Sequence, residues 1–255
     1  TRHSVFPLSN WTKSVPGKFM YKFVNETMSD RIIAVAEAAK ENLTDGGVSE
    51  DKIDVILNGV QKIEETSLED KNKLKNKLGI KQDEYVIGIL ARLEKVKGHE
   101  FFIDAAKLIL DERKIKAKFL ILGTGNEEDA LKEKVKRLGI EKNVIFTGFI
   151  ENVQEYINIF DVQVNCSYGT EATSLALLEG MSIGIPAVVT EYGGNPGVIQ
   201  NGENGYLVPI KSPRDTADGI VRILTNEELK KYMKKRCIEI YEEKFTVDRY
   251  TKNIE

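Results

Sequence analysis

Short apolar runs recur along most of the chain and are separated by amphipathic or polar stretches. Such runs, bounded by Gly, Pro or Asn, are typical of buried strands, whereas apolar residues spaced three and four apart predict helices with one buried face. The helical spacing is clear at Phe102, Ala105, Ala106 and Ile109. The runs that predict strands lie at residues 31–36, 52–57, 85–90, 119–122, 144–150, 162–164, 187–189 and 206–208. Their alternation with helical stretches predicts an α/β fold.

The stretch from residue 162 to residue 199 carries the most information. An apolar strand there leads into the polar turn 167–171. The helix that follows is apolar nearly all round, as expected of a helix packed between a sheet and another layer. Residues 184–186, Gly-Ile-Pro, end this helix, and residues 187–189 form the next strand. The apolar residues of the helix are Leu175, Ala176, Leu177, Leu178 and Met181.

Two carboxylates flank the start of this helix. Glu171 lies just before it and Glu179 inside it, so the spacing along a helix axis is roughly 8 to 12 Å. Retaining glycosidases hold their two carboxylates only about 5 Å apart, so the pair suits contact with two parts of one elongated polar ligand instead. The amides of Thr173, Ser174 and Leu175 lie at the helix N-terminus, where unpaired N–H groups favour a phosphate.

The run from Glu171 to Met181, followed by residues 184–188 and 193–196, resembles the Glu, seven residues, Glu motif of group 1 retaining glycosyltransferases. That family has the two-lobed GT-B fold, in which each lobe is Rossmann-like. The resemblance implies that Glu171 is a catalytic residue that contacts the donor sugar. It also implies that Glu179 contacts the ribose of a nucleotide donor. The alternative interpretation is that the two glutamates merely form part of a solvated helix face.

Two cations follow the strand at 85–90. Arg92 ends that strand and Lys97 follows a short turn, which places both at the carboxyl edge of the sheet, where open α/β folds bind ligands. Arg can grip a phosphate with two parallel hydrogen bonds and Lys acts as a point charge. The segment resembles the family's G-R-L-x-x-x-K-G diphosphate site, with Ala91 in place of the usual Gly. The alternative is that these cations serve surface solubility.

The glycine loop at Gly123 and Gly125 resembles a dinucleotide fingerprint, but the third Gly of G-x-G-x-x-G would fall at Glu128. Acidic residues in the first turn of a helix would also repel a pyrophosphate. The family resemblance instead implies that this loop borders the nucleoside. By the same resemblance, the backbone of Ile150 contacts the base.

Departure of a diphosphate requires its growing negative charge to be stabilised. Many transferases use a metal ion held by D-x-D, but no two Asp residues here are two positions apart. We therefore expect a metal-independent reaction with a UDP-sugar or GDP-sugar, in which Arg92, Lys97 and the helix amides stabilise the charge. The resemblance implies retention of configuration at the anomeric carbon.

Three further positions bear on activity and selectivity. His3 falls where related enzymes carry a functional His that faces the donor sugar, so the resemblance implies a catalytic role for it. Gly197 stands where the family's G-G-x-P-E has Glu, and Thr173 stands where an aromatic residue is usual. Both departures predict altered selectivity for the acceptor or the donor sugar.

Residues 30–40 and 52–60 resemble the end of the N-terminal lobe in the same family, which implies that the chain begins in the middle of that lobe. We therefore expect a partial N-terminal, acceptor-side lobe at 1–60 and an interlobe linker at 61–83. A complete C-terminal nucleotide-sugar domain would follow at 84–235, and a helix at 236–255 would return to the first lobe.

Composition excludes several other classes. A net charge of −3 and a pI near 5.7 give no reason to expect nucleic acid as a partner. The apolar runs are too short to span a bilayer, and the two cysteines form no C-x-x-C, so a cytoplasmic location is expected. Residues 1–30 are basic and aromatic, which suits peripheral contact with the inner face of a membrane or with a polyanionic acceptor. The alternative is a helix at 18–28 that packs on the domain.

Three functions remain open on the sequence. The leading one is a retaining transferase that moves a sugar from a nucleotide sugar to a glycan, glycolipid or polysaccharide acceptor. The second is the donor-binding half of a split or truncated transferase, inactive alone. The third, a sugar phosphorylase or epimerase of similar architecture, lacks a recognisable cofactor lysine.

Overall fold

The structure, a computed structural model, describes residue 1 and residues 8–254. In this part of the chain eight strands form two parallel sheets. The small sheet pairs β1 (Ile32–Ala34) with β2 (Ile53–Val55). The large sheet contains β3 (Tyr85–Leu90), β4 (Ala117–Leu122), β5 (Val144–Gly148), β6 (Val162–Asn165), β7 (Ala187–Thr190) and β8 (Gly205–Val208).

The helices connect these strands and cover both faces of the large sheet. In chain order they are α1 (Asn10–Lys13), α2 (Val15–Thr27), α3 (Glu37–Asp45), α4 (Leu68–Lys77), α5 (His99–Asp111), α6 (Glu128–Leu138), α7 (Val153–Ile157), α8 (Leu175–Ser182), α9 (Asn195–Val198), α10 (Pro213–Leu224), α11 (Glu227–Lys244) and α12 (Val247–Ile254). The predicted strands and the predicted apolar helix are present, each within a few residues of its expected limits.

The large sheet has the strand order β5-β4-β3-β6-β7-β8, with every neighbouring pair parallel. The chain builds outward from β3 on one side and then returns to build outward from β6 on the other. The order therefore reverses between β3 and β6, and ligands of open α/β sheets bind in the crevice beyond the carboxyl ends at that point. This architecture confirms the predicted α/β fold of the GT-B type.

Both faces of the large sheet are buried, which explains why its strands read as continuous apolar runs. Side chains alternate along β3, so Ile87 and Ile89 join a core cluster with Phe102 of α5, whereas Val86 joins a second cluster on the opposite face. Gly88 lies between Ile87 and Ile89 in the sequence, and a Cβ on it would approach the ring of Phe160 to 2.0 Å. The absence of a side chain at Gly88 lets that ring lie directly on the strand.

The C-terminal helices cross back to the segment that follows β2. The Val60 amide donates to the Phe245 carbonyl at 2.9 Å, and the Tyr241 hydroxyl donates to the Val60 carbonyl at 2.8 Å. Helix α11 runs without interruption through Arg236, so the expected limit at 235 falls inside this helix. The domain limits as a whole stay a prediction.

The helix expected at 18–28 is present as α2, which begins three residues earlier and ends one residue earlier. It packs only partly on the molecule: Gly17 is buried and Tyr21 contacts the core cluster of α3. Large apolar side chains of this region are exposed, namely Trp11, Val15, Phe19, Met20, Phe23 and Met28. Contact of this face with a membrane stays a prediction, and across residues 8–254 we find no helix with the length and apolarity needed to span a bilayer.

Candidate functional site

Glu171 lies at the centre of a hydrogen-bonded cluster at the switch point of the large sheet. Its Oε2 accepts hydrogen bonds from Ser167 Oγ at 2.9 Å, from Asn165 Nδ2 at 3.1 Å and from Lys97 Nζ at 3.1 Å. The side chain is only 8% exposed. Burial of a carboxylate is tolerated when it is paired and hydrogen-bonded in this way, because the partners replace the lost water.

A glycine loop after β7 holds the backbone of this cluster in place. The Gly194 amide donates to the Glu171 carbonyl at 3.0 Å. A Cβ on Gly193 would approach the same carbonyl oxygen to 1.9 Å, and one on Gly194 would approach the Ala172 oxygen to 1.4 Å. Gly193 also has a φ of +58°, in the left-handed region that favours glycine. Because only glycine allows this close approach, Gly193 and Gly194 fix the position of the Glu171 backbone.

The two cations after β3 point in different directions. Lys97 turns inward: its side chain is 14% exposed and also donates to the Thr170 carbonyl at 2.9 Å. Arg92 turns outward: its side chain is 74% exposed and pairs with Glu94 at 2.8 Å. The structure therefore brings Lys97 and Glu171 together but leaves the Arg92 guanidinium facing solvent at the rim of the crevice.

The start of α8 provides free backbone donors next to the carboxylate. Within residues 8–254, the amides of Thr173, Ser174 and Leu175 donate to no acceptor. Ser174 is the N-cap residue and its hydroxyl makes no capping bond. The positive end of the helix dipole adds to these donors, and binding of a phosphate at this helix start stays a prediction.

Glu179 lies one turn into α8 and is half-buried. Burial raises the pKa of its carboxyl above the ordinary value, because the surroundings solvate the charged form poorly. The helix lies close to β6 here: a Cβ on Gly180 would come within 2.3 Å of Gln163 Nε2, which donates to the Leu177 carbonyl at 3.1 Å. Glu179 is thus carried on a firmly packed helix.

Gly123 and Gly125 allow two loops to touch at the carboxyl edge of the sheet. A Cβ on Gly123 would lie 2.2 Å from the Ala91 oxygen, and one on Gly125 would lie 2.4 Å from the Leu93 oxygen. The loop therefore packs on the segment that carries Arg92. Farther along the edge, Ile150 is half-buried after β5, and its neighbour Phe149 is 75% exposed.

Of the two histidines, His3 lies outside the described residues, so its expected role stays a prediction. His99 is 2% exposed at the start of α5, and neither ring nitrogen has a hydrogen-bond partner in the described structure. Burial, helped by the charge of Lys97, lowers the pKa of His99 to about 4. This residue packs as a neutral imidazole beside the crevice.

The sequence analysis missed the polar side chains that hold Glu171. Asn165 and Ser167 donate to Glu171, whereas Gln163 donates to the Leu177 carbonyl on α8. The three residues follow one another at every second position, so they share one face of β6 and of the turn after it. All three are buried. Polar residues at alternate positions of an otherwise apolar strand were the available signal. Among the described residues, no group of three or more His, Cys, Asp or Glu side chains could hold a metal ion.

Comparison with known families gives one clear match. The family model described as glycosyl transferases group 1 matches residues 70–239, which contain the large sheet, the Glu171 cluster and α8.

Curated relatives extend this match beyond the family model. The N-acetyl-alpha-D-glucosaminyl L-malate synthase of Bacillus anthracis is 33% identical over 186 residues, which cover 73% of this chain and 48% of the relative. A UDP-Gal:alpha-D-GlcNAc-diphosphoundecaprenol alpha-1,3-galactosyltransferase of Escherichia coli is 28% identical over 92% of this chain and 59% of its own length. The chain therefore spans about half to three fifths of the length of these relatives.

Solved structures share the architecture. HepE from Anabaena, in complex with UDP, superposes with a TM-score of 0.88 at 23% identity over 99% of this chain and 69% of its own. The C-terminal domain of LpcC, a glycosyl transferase group 1 family protein from Francisella tularensis, matches at 27% identity with a TM-score of 0.64. That match covers 74% of this chain and all of the domain.

Proposed function

Because the chain belongs to the group 1 glycosyl transferases, we propose that it carries the donor site of a retaining, nucleotide-sugar-dependent hexosyltransferase. The observation that carries the proposal is the Glu171 carboxylate, held by three donors beside the free amides at the start of α8. A fixed carboxylate and a fixed set of anion-binding amides side by side match the two ends of a sugar diphosphate.

The proposed reaction breaks the bond between the anomeric carbon and the diphosphate. As the bond breaks, the diphosphate gains negative charge, which the amides of Thr173 to Leu175 and the helix dipole stabilise without rearrangement. Lys97 adds positive charge once the donor competes with Glu171 for it, and Arg92 closes onto the diphosphate from the rim. The acceptor hydroxyl forms the new bond to the anomeric carbon, and its proton leaves with the diphosphate.

Recognition of the donor is divided between the two glutamates in this proposal. Glu171 accepts hydrogen bonds from sugar hydroxyls, since its position is set by Ser167, Asn165 and Lys97 and not by solvent. Glu179 accepts from the ribose hydroxyls, and hydrogen bonds to a partly desolvated carboxylate are stronger than those in water. Gly123, Gly125 and Ile150 line the nucleoside end.

The acceptor is proposed only as a class. One relative is named for transfer to malate and another for transfer to a diphosphoundecaprenol-linked sugar, so acceptors differ within the family. A glycan or lipid-linked acceptor fits the second of these and fits the exposed apolar and basic region around α2.

The alternative is a donor-binding half that needs another polypeptide segment for transfer. Its support is the share of relatives that the chain covers, 48% and 59%, and the small size of the β1–β2 sheet. Transfer assayed with this chain alone, and again with an N-terminal lobe supplied, separates the two readings. Activity only in the second assay would favour the alternative.

The proposed division of roles is tested by calorimetry with UDP, GDP and their sugar conjugates. Glu179→Ala should weaken binding of the free nucleotide, while Glu171→Ala should leave it nearly intact and abolish discrimination between sugars. Glu191→Ala, an exposed carboxylate after β7, serves as the control. Equal loss of nucleotide affinity in both variants would contradict the assignment, and no binding of any nucleotide to the wild-type chain would refute the proposed function.

A further inference from the structure

The hydrogen bonds that hold the Glu171 carboxylate all end on one of its two oxygens. Oε2 accepts from Lys97 Nζ at 3.1 Å, from Asn165 Nδ2 at 3.1 Å and from Ser167 Oγ at 2.9 Å. Oε1 accepts from no donor among the described residues, and it is not sealed from solvent. Since a carboxylate oxygen offers about two lone pairs, Oε2 is saturated and Oε1 is the atom left for a ligand.

Lys97 differs from the other two donors because its charge has a second use. In the proposed reaction its ammonium turns to the diphosphate, away from Glu171 and from the Thr170 carbonyl that it also contacts. Among the described residues, Lys97 is the cation paired with Glu171. A buried carboxylate without donors is costly, so the two neutral donors have to hold it once Lys97 has moved.

Asn165 uses both ends of its side-chain amide in this cluster. Its Oδ1 accepts from the Ser167 backbone amide at 2.9 Å while its Nδ2 donates to Glu171. Half a turn of the amide would bring its oxygen against the carboxylate and lose both bonds. The residue is 7% exposed, so little water competes for either end. An Asp would keep the acceptor and lose the donor, and a Leu would lose both.

Ser167 is in turn held by the neighbouring strand. The Thr190 hydroxyl at the end of β7 donates to the Ser167 carbonyl at 2.5 Å. The Thr190 carbonyl accepts from Asn195 Nδ2 of α9 at 2.9 Å, and both residues are buried. The neutral donors to Glu171 are therefore braced by hydrogen bonds from α9 and β7 that do not involve Lys97.

We propose that Asn165 is a positioning residue for Glu171. Together with Ser167 it holds Oε2 after Lys97 has moved to the diphosphate, so that Oε1 alone is presented to the hydroxyl groups of the donor sugar. The inference rests on the proposed function, because it takes Glu171 as the donor-sugar residue and Lys97 as a diphosphate residue.

Asn165→Asp is the perturbation that separates positioning from packing. It keeps the shape of the side chain but replaces Nδ2, which lies 3.1 Å from Glu171 Oε2, with a carboxylate oxygen. Two carboxylates in contact can share a proton at low pH, which restores a hydrogen bond, and they repel each other once that proton is lost. Lys97 is the cation that faces the pair. The pKa of His99 beside Lys97 is about 4 and that of the buried Cys166 thiol is about 12, so neither group changes charge between pH 5.5 and pH 8.5.

The test measures binding to the 255-residue chain by calorimetry at pH 5.5 and pH 8.5. The ligands are UDP-glucose, UDP-galactose and UDP-N-acetylglucosamine, with UDP as the reference. GDP-glucose, GDP-mannose and GDP replace them if the wild type binds GDP more tightly. Sugar discrimination is the ratio of the affinities for the tightest and the weakest sugar nucleotide, and affinity for the free nucleotide reports on folding of the donor site.

Two further variants serve as comparisons. Ser167→Ala removes the other neutral donor without adding a charge. Asn201→Asp adds the same charge as Asn165→Asp at an exposed position, where Oδ1 accepts from the Leu207 amide and Asp can keep that bond.

We expect the wild type to discriminate between sugars at least about tenfold at both pH values, since hydrogen bonds to a charged group decide the difference. Asn165→Asp should stay within about twofold of the wild-type ratio at pH 5.5 and fall at least about fivefold below it at pH 8.5. Ser167→Ala should fall at least about threefold at both pH values, with its affinity for the free nucleotide nearly unchanged. Asn201→Asp should match the wild type.

Discrimination by Asn165→Asp that is equal at the two pH values, whether kept or lost, would overturn the inference. If that variant binds no nucleotide at either pH, Ser167→Ala decides: kept discrimination would overturn the inference, and lost discrimination with normal nucleotide affinity would support it. A wild type that binds nucleotide without distinguishing the sugars would overturn the inference and leave the nucleotide site standing. A wild type that binds no nucleotide would instead refute the proposed function.

Discussion

His99 offers a stability prediction whose size can be worked out from the structure. The imidazole is 2% exposed, its two nitrogens have no partner among the described residues, and burial lowers its pKa from 6.5 to about 4. In the unfolded chain the ring takes up a proton near its ordinary pKa. Below that value the unfolded state therefore binds more protons than the folded state, and stability falls as the pH falls.

The expected magnitude follows from the two pKa values. Above pH 7.5 the contribution is close to zero, because His99 is neutral in both states. At pH 5 the difference amounts to a loss of about 2 kcal/mol, and below pH 4 it levels off near 3 kcal/mol. A loss of this size is a large part of the stability of an ordinary domain.

The assay is urea denaturation of the wild type and of His99→Leu, followed by far-UV circular dichroism at pH 7.5, 6 and 5 at constant ionic strength. Leucine fills similar space without a titrating group. Carboxylates elsewhere affect both proteins alike, so the quantity of interest is the difference in unfolding free energy between them. We expect that difference to move by about 2 kcal/mol in favour of the variant between pH 7.5 and pH 5. A difference that does not change with pH would refute a buried, neutral His99.

Further predictions concern packing, charge and thiol reactivity. Gly88→Ala should destabilise the fold by about 1 to 3 kcal/mol, because its Cβ would meet the Phe160 ring at 2.0 Å, whereas Gly197→Ala should change little; equal unfolding midpoints would argue against this packing. Glu179→Gln should raise the thermal unfolding midpoint at pH 7.5 while weakening UDP binding. Because burial raises the pKa of the Glu179 carboxyl in the folded protein, the fold loses stability as the pH rises from the ordinary pKa of a glutamate through this raised value, and Gln does not ionise. A lower midpoint in calorimetry would contradict the cause given. Cys166 and Cys237 should resist a thiol reagent in the native protein and react fully in denaturant, since burial raises the pKa of the Cys166 thiol to about 12 and that of Cys237 above its ordinary range. Rapid native labelling would show that these helices and strands open.

The large sheet was predictable because its signal is local. Buried parallel strands read as apolar runs, and the helix at Leu175 follows from its apolar residues and from the Gly-Ile-Pro that ends it. The contact of Lys97 with Glu171 was not predictable from spacing, because the two residues are 74 positions apart and meet only when β3 and β6 pair. Their expected functions came from the family resemblance.

Two other features depend on competition between side chains. Arg92 was expected to face the ligand crevice beside Lys97, but a nearby carboxylate, Glu94, takes up its guanidinium at the surface. The support of Glu171 by Asn165 and Ser167 was missed because short polar residues near a turn usually bond to local backbone. Asn165 does both, since its Oδ1 accepts from the Ser167 amide while its Nδ2 reaches Glu171.

The hydrogen bonds between Val60 and the end of α11 have a mechanical consequence. The segment after β2 and the segment after α11 run side by side, at residues 57–60 and 245–246, and a Cβ on Gly59 would lie 2.4 Å from the Thr246 oxygen. These contacts fix the chain where it leaves the small sheet, so residues 57–60 would act as the hinge of the β1–β2 unit. In a rotation about this hinge, the side of the unit farthest from residues 57–60 would move most and Phe245 would move least.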